Sequence, residues 1–74
     1  SKTEILRKAL EIHKEQIDIV RKLIELSEEV LKLVEESKEK NLEKLKRIDE
    51  ETDRLLERLD ELHKRLTELA ERLK

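Results

Sequence analysis

Residues 5–34 decide the fold, and they read ILRKALEIHKEQIDIVRKLIELSEEVLKLV. Two neighbouring rows of mostly apolar residues repeat here in alternating steps of four and three, the spacing of a helix face. Together they form an apolar face roughly 150° wide on a helical wheel, wide enough to contact two sets of neighbouring helices. We call the first row the Ile5 stripe: Ile5, Ala9, Ile12, Gln16, Ile19, Leu23, Leu26, Val30 and Leu33. We call the second row the Leu6 stripe: Leu6, Leu10, His13, Ile17, Val20, Ile24, Ser27, Leu31 and Val34.

The second half of the chain carries a narrower apolar face. One row repeats with the same helical spacing, and the row beside it mixes apolar with polar residues. We call the first the Leu45 stripe: Leu45, Ile48, Thr52, Leu55, Leu59, Leu62, Leu66, Leu69 and Leu73. We call the second the Leu42 stripe: Leu42, Asp49, Leu56, His63 and Ala70. A helix with one full row is covered on fewer sides, so this arm is expected to be the outer helix of a bundle, with residues 5–34 as the inner one.

Residues 35–41 separate the two arms with the polar run EESKEKN. The chain is therefore predicted to be all-α, an antiparallel hairpin with helices at 2–36 and 42–73 and a turn at 37–41, which assembles into a coiled-coil helical bundle. Ser1, with Glu4 three residues on, suits a capping box. Asn41 suits either a helix cap or a left-handed helix stop.

One alternative is a single continuous helix that would act as a structural coiled coil. The heptad count passes unbroken through Lys38 and Asn41, and the chain has no Gly or Pro, so a rod of roughly 110 Å would satisfy the pattern. The centre of the apolar face, however, rotates by roughly 75° between the two halves, which a continuous coiled coil does not require. This rotation favours the hairpin.

Composition argues against several classes of function. Charged residues make up 51 % of the chain, aromatic residues 0 %, and 18 Lys and Arg nearly balance 20 Asp and Glu. Without a basic block or an aromatic platform, nucleic-acid binding is not expected. No apolar run exceeds two residues, which argues against a transmembrane helix or a signal peptide. With no Cys, no Gly and no two-histidine helical spacing, we expect no enzyme, no catalytic residue, no metal site and no cofactor. Localisation is not indicated.

Polar residues interrupt the apolar stripes at matching heights. If the chain folds back near residue 38, His13 falls level with His63, and Ser27 falls level with Asp49. A buried polar group costs about 1–3 kcal/mol unless its hydrogen bonds are made, so such layers favour one register and one number of helices. The alternative is that some of these residues lie at a solvated boundary. The residues assigned to the polar layers are His13, Gln16, Ser27, Asp49, Thr52 and His63.

The two histidines suggest a response to pH. Histidine titrates near pH ~6.5 when it is unperturbed. If His13 and His63 are buried in their neutral form, the assembly would lose stability as the pH falls. The alternative is that the two histidines only fix the register.

The stretch EIHKEQ at residues 11–16, a core of aliphatic residues and a surface saturated with Glu, Lys and Arg occur in a chain with arms of equal length. In these features the chain resembles de novo designed helical-hairpin oligomers with buried hydrogen-bond networks. The resemblance implies self-assembly, since that family includes homodimers, homotrimers, heterodimers of two hairpins and histidine-network trimers intended to respond to pH. The turn departs from the pattern, because such designs usually place Gly or Pro there.

The expected assembly is a homo-oligomer, with a trimer of six helices favoured and a dimer as the second choice. Ile and Val occupy both kinds of position in the Leu6 stripe, which disfavours a two-stranded centre. Another alternative is one half of a heterodimer, whose partner hairpin would complete the polar layers. The residues expected in the oligomer core are Ile12, Ile17, Val20, Leu23, Ile24, Leu31 and Val34.

Overall fold

The computed structural model describes residues 1–36 and 41–74, and these form two α-helices. Helix α1 spans Lys2–Glu36 and helix α2 spans Asn41–Arg72, and the two pack against each other. The all-α hairpin expected from the sequence is confirmed. The single continuous helix is wrong, because the molecule is 55 Å long where such a rod would measure roughly 110 Å. Of the expected turn at 37–41, residues 37–40 lie outside the described residues.

Polar side chains fix the beginning of each helix. At the start of α1, the Ser1 hydroxyl oxygen accepts the N–H of Glu4 at 3.3 Å, as the capping pattern predicts. At the start of α2, the buried Asn41 side chain donates through Nδ2 to the carbonyl oxygen of Leu33 at 2.8 Å. Leu33 carries one of the last four carbonyls of α1, the acceptors for which a helix end provides no helical donor. Asn41 thereby ties the beginning of α2 to the end of α1.

The core of the hairpin is a single line of aliphatic side chains between the two helices. Every buried residue of α1 belongs to the Ile5 stripe, and these residues recur every seven positions, so they lie along one side of the helix. On α2 the buried aliphatic residues belong to the Leu45 stripe, and Leu62 among them is 1 % exposed. Burial of each such side chain contributes about 1.5–3 kcal/mol. The buried aliphatic residues are Ile5, Ile12, Ile19, Leu26, Leu33, Ile48, Leu62 and Leu69.

Two polar contacts define the register of the helices. Arg58 of α2 donates to the carboxylate of Glu15 of α1 at 2.6 and 3.1 Å, and Asn41 donates to Leu33. The clusters of core residues agree, since Ile12 lies in the same cluster as Leu62. Facing residues of the two helices therefore pair about a midpoint of 37 in residue number, halfway between Leu33 and Asn41, where the sequence suggested 38.

This register displaces the expected polar layers by less than one helical turn. His13 is level with Glu61, and His63 lies two residues away from that level, about 3 Å along the axis. Ser27 and Asp49 are displaced by the same amount. The polar residues therefore remain grouped at two heights, although they do not lie directly opposite each other.

Candidate functional site: the uncovered face of the hairpin

One long face of the hairpin is apolar and not covered by the chain itself. Nine large apolar side chains of the described residues are between 39 % and 69 % exposed. Seven of them make up all the aliphatic members of the Leu6 stripe, and the other two belong to the Leu42 stripe. We call the surface formed by these two stripes the uncovered face. Its exposed aliphatic residues are Leu6, Leu10, Ile17, Val20, Ile24, Leu31, Val34, Leu42 and Leu56.

The two stripes lie on the same side of the hairpin. A helix turns by about 100° per residue. The side chain of His13 is therefore rotated by that angle from the buried Ile12 on α1, and the side chain of His63 is rotated equally from the buried Leu62 on α2. Because α2 runs antiparallel to α1 and also faces it, the two rotations lead to the same side of the pair. Beside the first turns of α2, a shallow groove on this side is lined by Val30 of α1 together with residues of α2. The α2 residues along this groove are Leu42, Leu45, Lys46, Ile48, Asp49 and Thr52.

The opposite side of the hairpin is charged. A groove there is bordered by side chains of both signs above a floor of Ile12, Leu62 and Leu69. Across it, Arg58 binds Glu15 through two hydrogen bonds and also contacts Glu61 at 3.2 Å. The charged residues that border this groove are Lys8, Glu11, Glu15, Arg58, Arg65, Glu68 and Arg72. The two sides of the hairpin therefore differ in kind, one charged and the other apolar.

The ion pair on the charged side changes the titration of both partners. The hydrogen bond from Arg58 lowers the pKa of the Glu15 carboxyl below its ordinary value, against a smaller effect of burial that raises it. The same bond raises the pKa of Arg58. The two side chains are 38 % and 43 % exposed, so water screens the pair and its net contribution to stability is modest.

The polar residues predicted to form layers lie on or beside the uncovered face. His13, Ser27, Asp49 and His63 are exposed, whereas Gln16 and Thr52 are half-buried at the edge of the hairpin core. The Ser27 hydroxyl donates to the carbonyl of Leu23 at 3.0 Å, and the Thr52 hydroxyl donates to that of Ile48 at 2.8 Å. These hydroxyl protons are thus satisfied within their own helices.

Within residues 1–36 and 41–74, no hydrogen bond joins two of these six polar side chains. A network among them would therefore need groups from another chain. The structure places four of the six on one face, because the Ile5 stripe of α1 and the Leu45 stripe of α2 are turned toward each other.

The residues expected in the oligomer core divide between two environments. Ile12 is buried inside the hairpin and Leu23 is half-buried there. The remaining five are exposed on the uncovered face: Ile17, Val20, Ile24, Leu31 and Val34.

Sequence reasoning did not identify the Glu15–Arg58 contact. Its signal was present, since Glu15 precedes a member of the Ile5 stripe and Arg58 precedes a member of the Leu45 stripe. Charged residues of opposite sign that flank facing apolar rows form salt bridges between helices. Recognising the pair required the register, which the sequence had placed two residues from its true position.

The described part of the chain has no identified catalytic feature. In residues 1–36 and 41–74, no group of three or more His, Cys, Asp or Glu side chains is placed to hold a metal ion. Over the same residues, neither helix combines the length and the apolar character that crossing a membrane requires. Compared with known proteins, the chain matches no family model, no curated protein and no solved structure.

Proposed function

We propose that this protein is a self-assembly module, whose copies form a helical bundle by burying the uncovered face of each hairpin. The observation that carries the proposal is the row of nine exposed aliphatic side chains along one side of the molecule. Contiguous apolar patches above a few hundred Å² are rare on monomeric proteins and mark interaction sites. The resemblance to designed hairpin oligomers supports the same function.

The energetics support association. Each aliphatic side chain contributes about 1.5–3 kcal/mol when it passes from water to a fully buried site. Association costs an estimated 4–15 kcal/mol in lost freedom of motion, so nine half-exposed side chains suffice to offset it. In its described residues the hairpin buries one line of aliphatic side chains, and a chain of this size encloses little core without a partner.

The polar residues of the uncovered face support a specific assembly. Exposed His13, Ser27, Asp49 and His63 interrupt the apolar surface, and they would lose water when the face is covered. The two imidazoles and the Asp49 carboxylate must then find hydrogen-bond partners on another copy, since an unpaired buried group costs about 1–3 kcal/mol. Only some registers and numbers of copies provide those partners. The Ile and Val pattern favours three copies if the inner helices run parallel, and two copies are the alternative.

Sedimentation equilibrium of the chain tests self-assembly. The chain has a mass of 8.9 kDa, and we expect a whole multiple of it at micromolar concentration. The double variant Ile17→Gln with Ile24→Gln places two amides on the uncovered face and should sediment as a monomer. The control, Asp18→Gln with Glu25→Gln, introduces the same residues at exposed positions outside that face and should assemble as the parent does.

The possible outcomes separate the alternatives. A parent chain that stays folded and monomeric into the millimolar range would contradict the proposal. A polydisperse and poorly folded chain would favour a heterodimer half, whose partner hairpin is required. The same measurement at about pH 7.5 and about pH 5 tests the predicted acid response, since histidine changes its charge between these values. An unchanged mass and helix content would leave His13 and His63 with a role in register only.

A further inference from the structure

The polar residues of the uncovered face are arranged symmetrically about its middle. On the Leu6 stripe, His13 and Ser27 lie seven residues before and after Val20. On the Leu42 stripe, Asp49 and His63 lie seven residues before and after Leu56. Each stripe therefore presents polar groups at equal distances from an aliphatic centre.

The aliphatic residues of the Leu6 stripe follow the same symmetry. Leu6 and Val34 lie fourteen residues on either side of Val20, and Ile17 and Ile24 flank it at three and four residues. The next positions outward, ten and eleven residues from the centre, are both leucine. When this stripe is reversed end to end, aliphatic positions fall on aliphatic positions and polar positions fall on polar ones. Such a surface is complementary to itself across a two-fold axis perpendicular to the helices.

The centres of the two stripes lie at nearly the same height. In the register set by Asn41 and Leu33, Leu56 of α2 is level with Asp18 of α1. Asp18 is two residues, about 3 Å, from Val20 along the axis. This offset is less than one helical turn, so a single two-fold axis serves both helices.

We propose that the uncovered face docks onto the same face of a second copy in antiparallel orientation, which makes a four-helix dimer with its two-fold axis near Val20 and Leu56. This inference rests on the proposed self-assembly function and adds the identity, orientation and number of the partners. In the dimer, α1 lies against α1 of the second copy, and α2 lies against α2.

The pairing matches donors with acceptors. His13 faces Ser27 of the second copy, and Asp49 faces His63 of the second copy, each twice. Because the Ser27 hydroxyl proton is already donated to Leu23, its oxygen is available to accept an N–H from the imidazole. The Asp49 carboxylate accepts from the imidazole N–H of His63.

The antiparallel dimer also accounts for the aliphatic residues that suggested three copies. The preference of Ile and Val for higher oligomers concerns parallel helices, so it does not count against an antiparallel pair. The uncovered face is about 40 Å long from Leu6 to Val34, and the hairpin is 15 Å wide. Its projected area is on the order of 600 Å² per copy, near the ~800 Å² per partner of a standard interface.

Disulfide cross-linking between singly substituted chains tests the orientation. The chain has no Cys, so Leu6→Cys and Val34→Cys each introduce one thiol on the uncovered face. In the antiparallel dimer the two substituted positions meet, whereas two copies of Leu6→Cys place their thiols about 40 Å apart. We expect cross-linked dimers in a refolded mixture of the two variants in a glutathione redox buffer. Neither variant alone should form them. The control pair Lys8→Cys and Lys32→Cys, which is exposed outside this face, should not cross-link when mixed.

Cross-links and solution mass together separate the two proposals. A mass of two chains with cross-links only in the mixture is the expected result, with helix content confirming that each variant folds. Cross-links within each variant alone, or a mass of three chains, would overturn the antiparallel dimer and leave self-assembly intact. An assembled chain with no cross-link in any sample would also overturn it. A folded, monomeric parent chain would instead show that the proposed function itself is wrong.

Discussion

The two apolar stripes of α1 have nearly the same composition and opposite environments. Leu26 of the Ile5 stripe is 4 % exposed, whereas Leu31 of the Leu6 stripe is 63 % exposed. The difference arises in α2, whose Leu45 stripe covers the Ile5 stripe of α1 and leaves the Leu6 stripe exposed. Apolar periodicity therefore identifies the residues that are stabilised by burial. The position of α2 determines which of them are buried within the same chain.

The largest effect is expected when a buried leucine and an exposed leucine are each replaced by alanine. We expect Leu62→Ala to lower the free energy of unfolding by about 2–5 kcal/mol, because it leaves a cavity in the hairpin core. That loss should be the same at every protein concentration. Leu31→Ala should instead act through assembly, so its effect should grow at the concentrations where the chain associates. Urea unfolding at two concentrations measures both, and equal, concentration-independent losses would contradict the distinction.

A second test concerns the buried contact between the end of α1 and the beginning of α2. Asn41→Ala removes the buried amide that donates to the Leu33 carbonyl, and we expect a loss of about 1–3 kcal/mol in the free energy of unfolding. Ser27→Ala serves as the control at low concentration, since the exposed Ser27 hydroxyl bonds only within its own helix. Its effect there should stay within about 0.5 kcal/mol. A loss of that small size for Asn41→Ala would show that the buried amide does not hold the two helix ends together.

Much of the fold follows from the sequence, and the reasons are physical. Both arms carry apolar rows with helical spacing, and two such rows cover each other when the chain folds back, so the hairpin and its two arms could be predicted. The register was less accurate, because it depends on Asn41 meeting the end of α1. No periodic pattern encodes that contact. The Glu15–Arg58 pair depends on the same register.

The candidate site could be predicted only in part. The sequence identified His13, Ser27, Asp49 and His63 as interruptions of apolar rows. It did not show that these four share one exposed face, because their direction depends on which row of α1 is turned toward α2. Their hydrogen-bond partners depend on a second chain, which neither the sequence nor a single hairpin contains.

A third test exchanges two polar residues of the uncovered face. Asp49→His would set two histidines opposite each other in the antiparallel dimer, and His63→Asp would set two carboxylates opposite each other. Each single variant should weaken dimerisation about tenfold, which corresponds to about 1.4 kcal/mol.

The double variant should restore most of that affinity, because the exchanged residues pair again. Sedimentation over a concentration series measures the dissociation constants. Additive losses in the double variant would show that Asp49 and His63 do not face each other across the dimer.

The smallest expected effect lies on the charged side, at the Glu15–Arg58 pair. The hydrogen bond from Arg58 holds the pKa of Glu15 below the ordinary value of 4.5. The ionised carboxylate therefore stabilises the hairpin above that value, and the contribution is lost as the pH falls through the lower pKa of the folded state. Glu15→Gln should therefore reduce the loss of unfolding free energy at acid pH, as measured by urea unfolding across a pH series. Near neutral pH it should change stability little, since the pair is partly exposed.

Glu25→Gln provides the matched control, because Glu25 pairs with Lys22 on its own helix at a longer distance of 3.8 Å. Unlike Glu15, it makes no hydrogen bond or ion pair with the described residues of α2, so its removal should leave the stability at acid pH nearly as in the parent chain. If the two variants show the same dependence of unfolding free energy on pH, the Glu15–Arg58 bond contributes no more to stability than a pair within one helix. The difference between the two sides would then rest on the uncovered aliphatic residues alone.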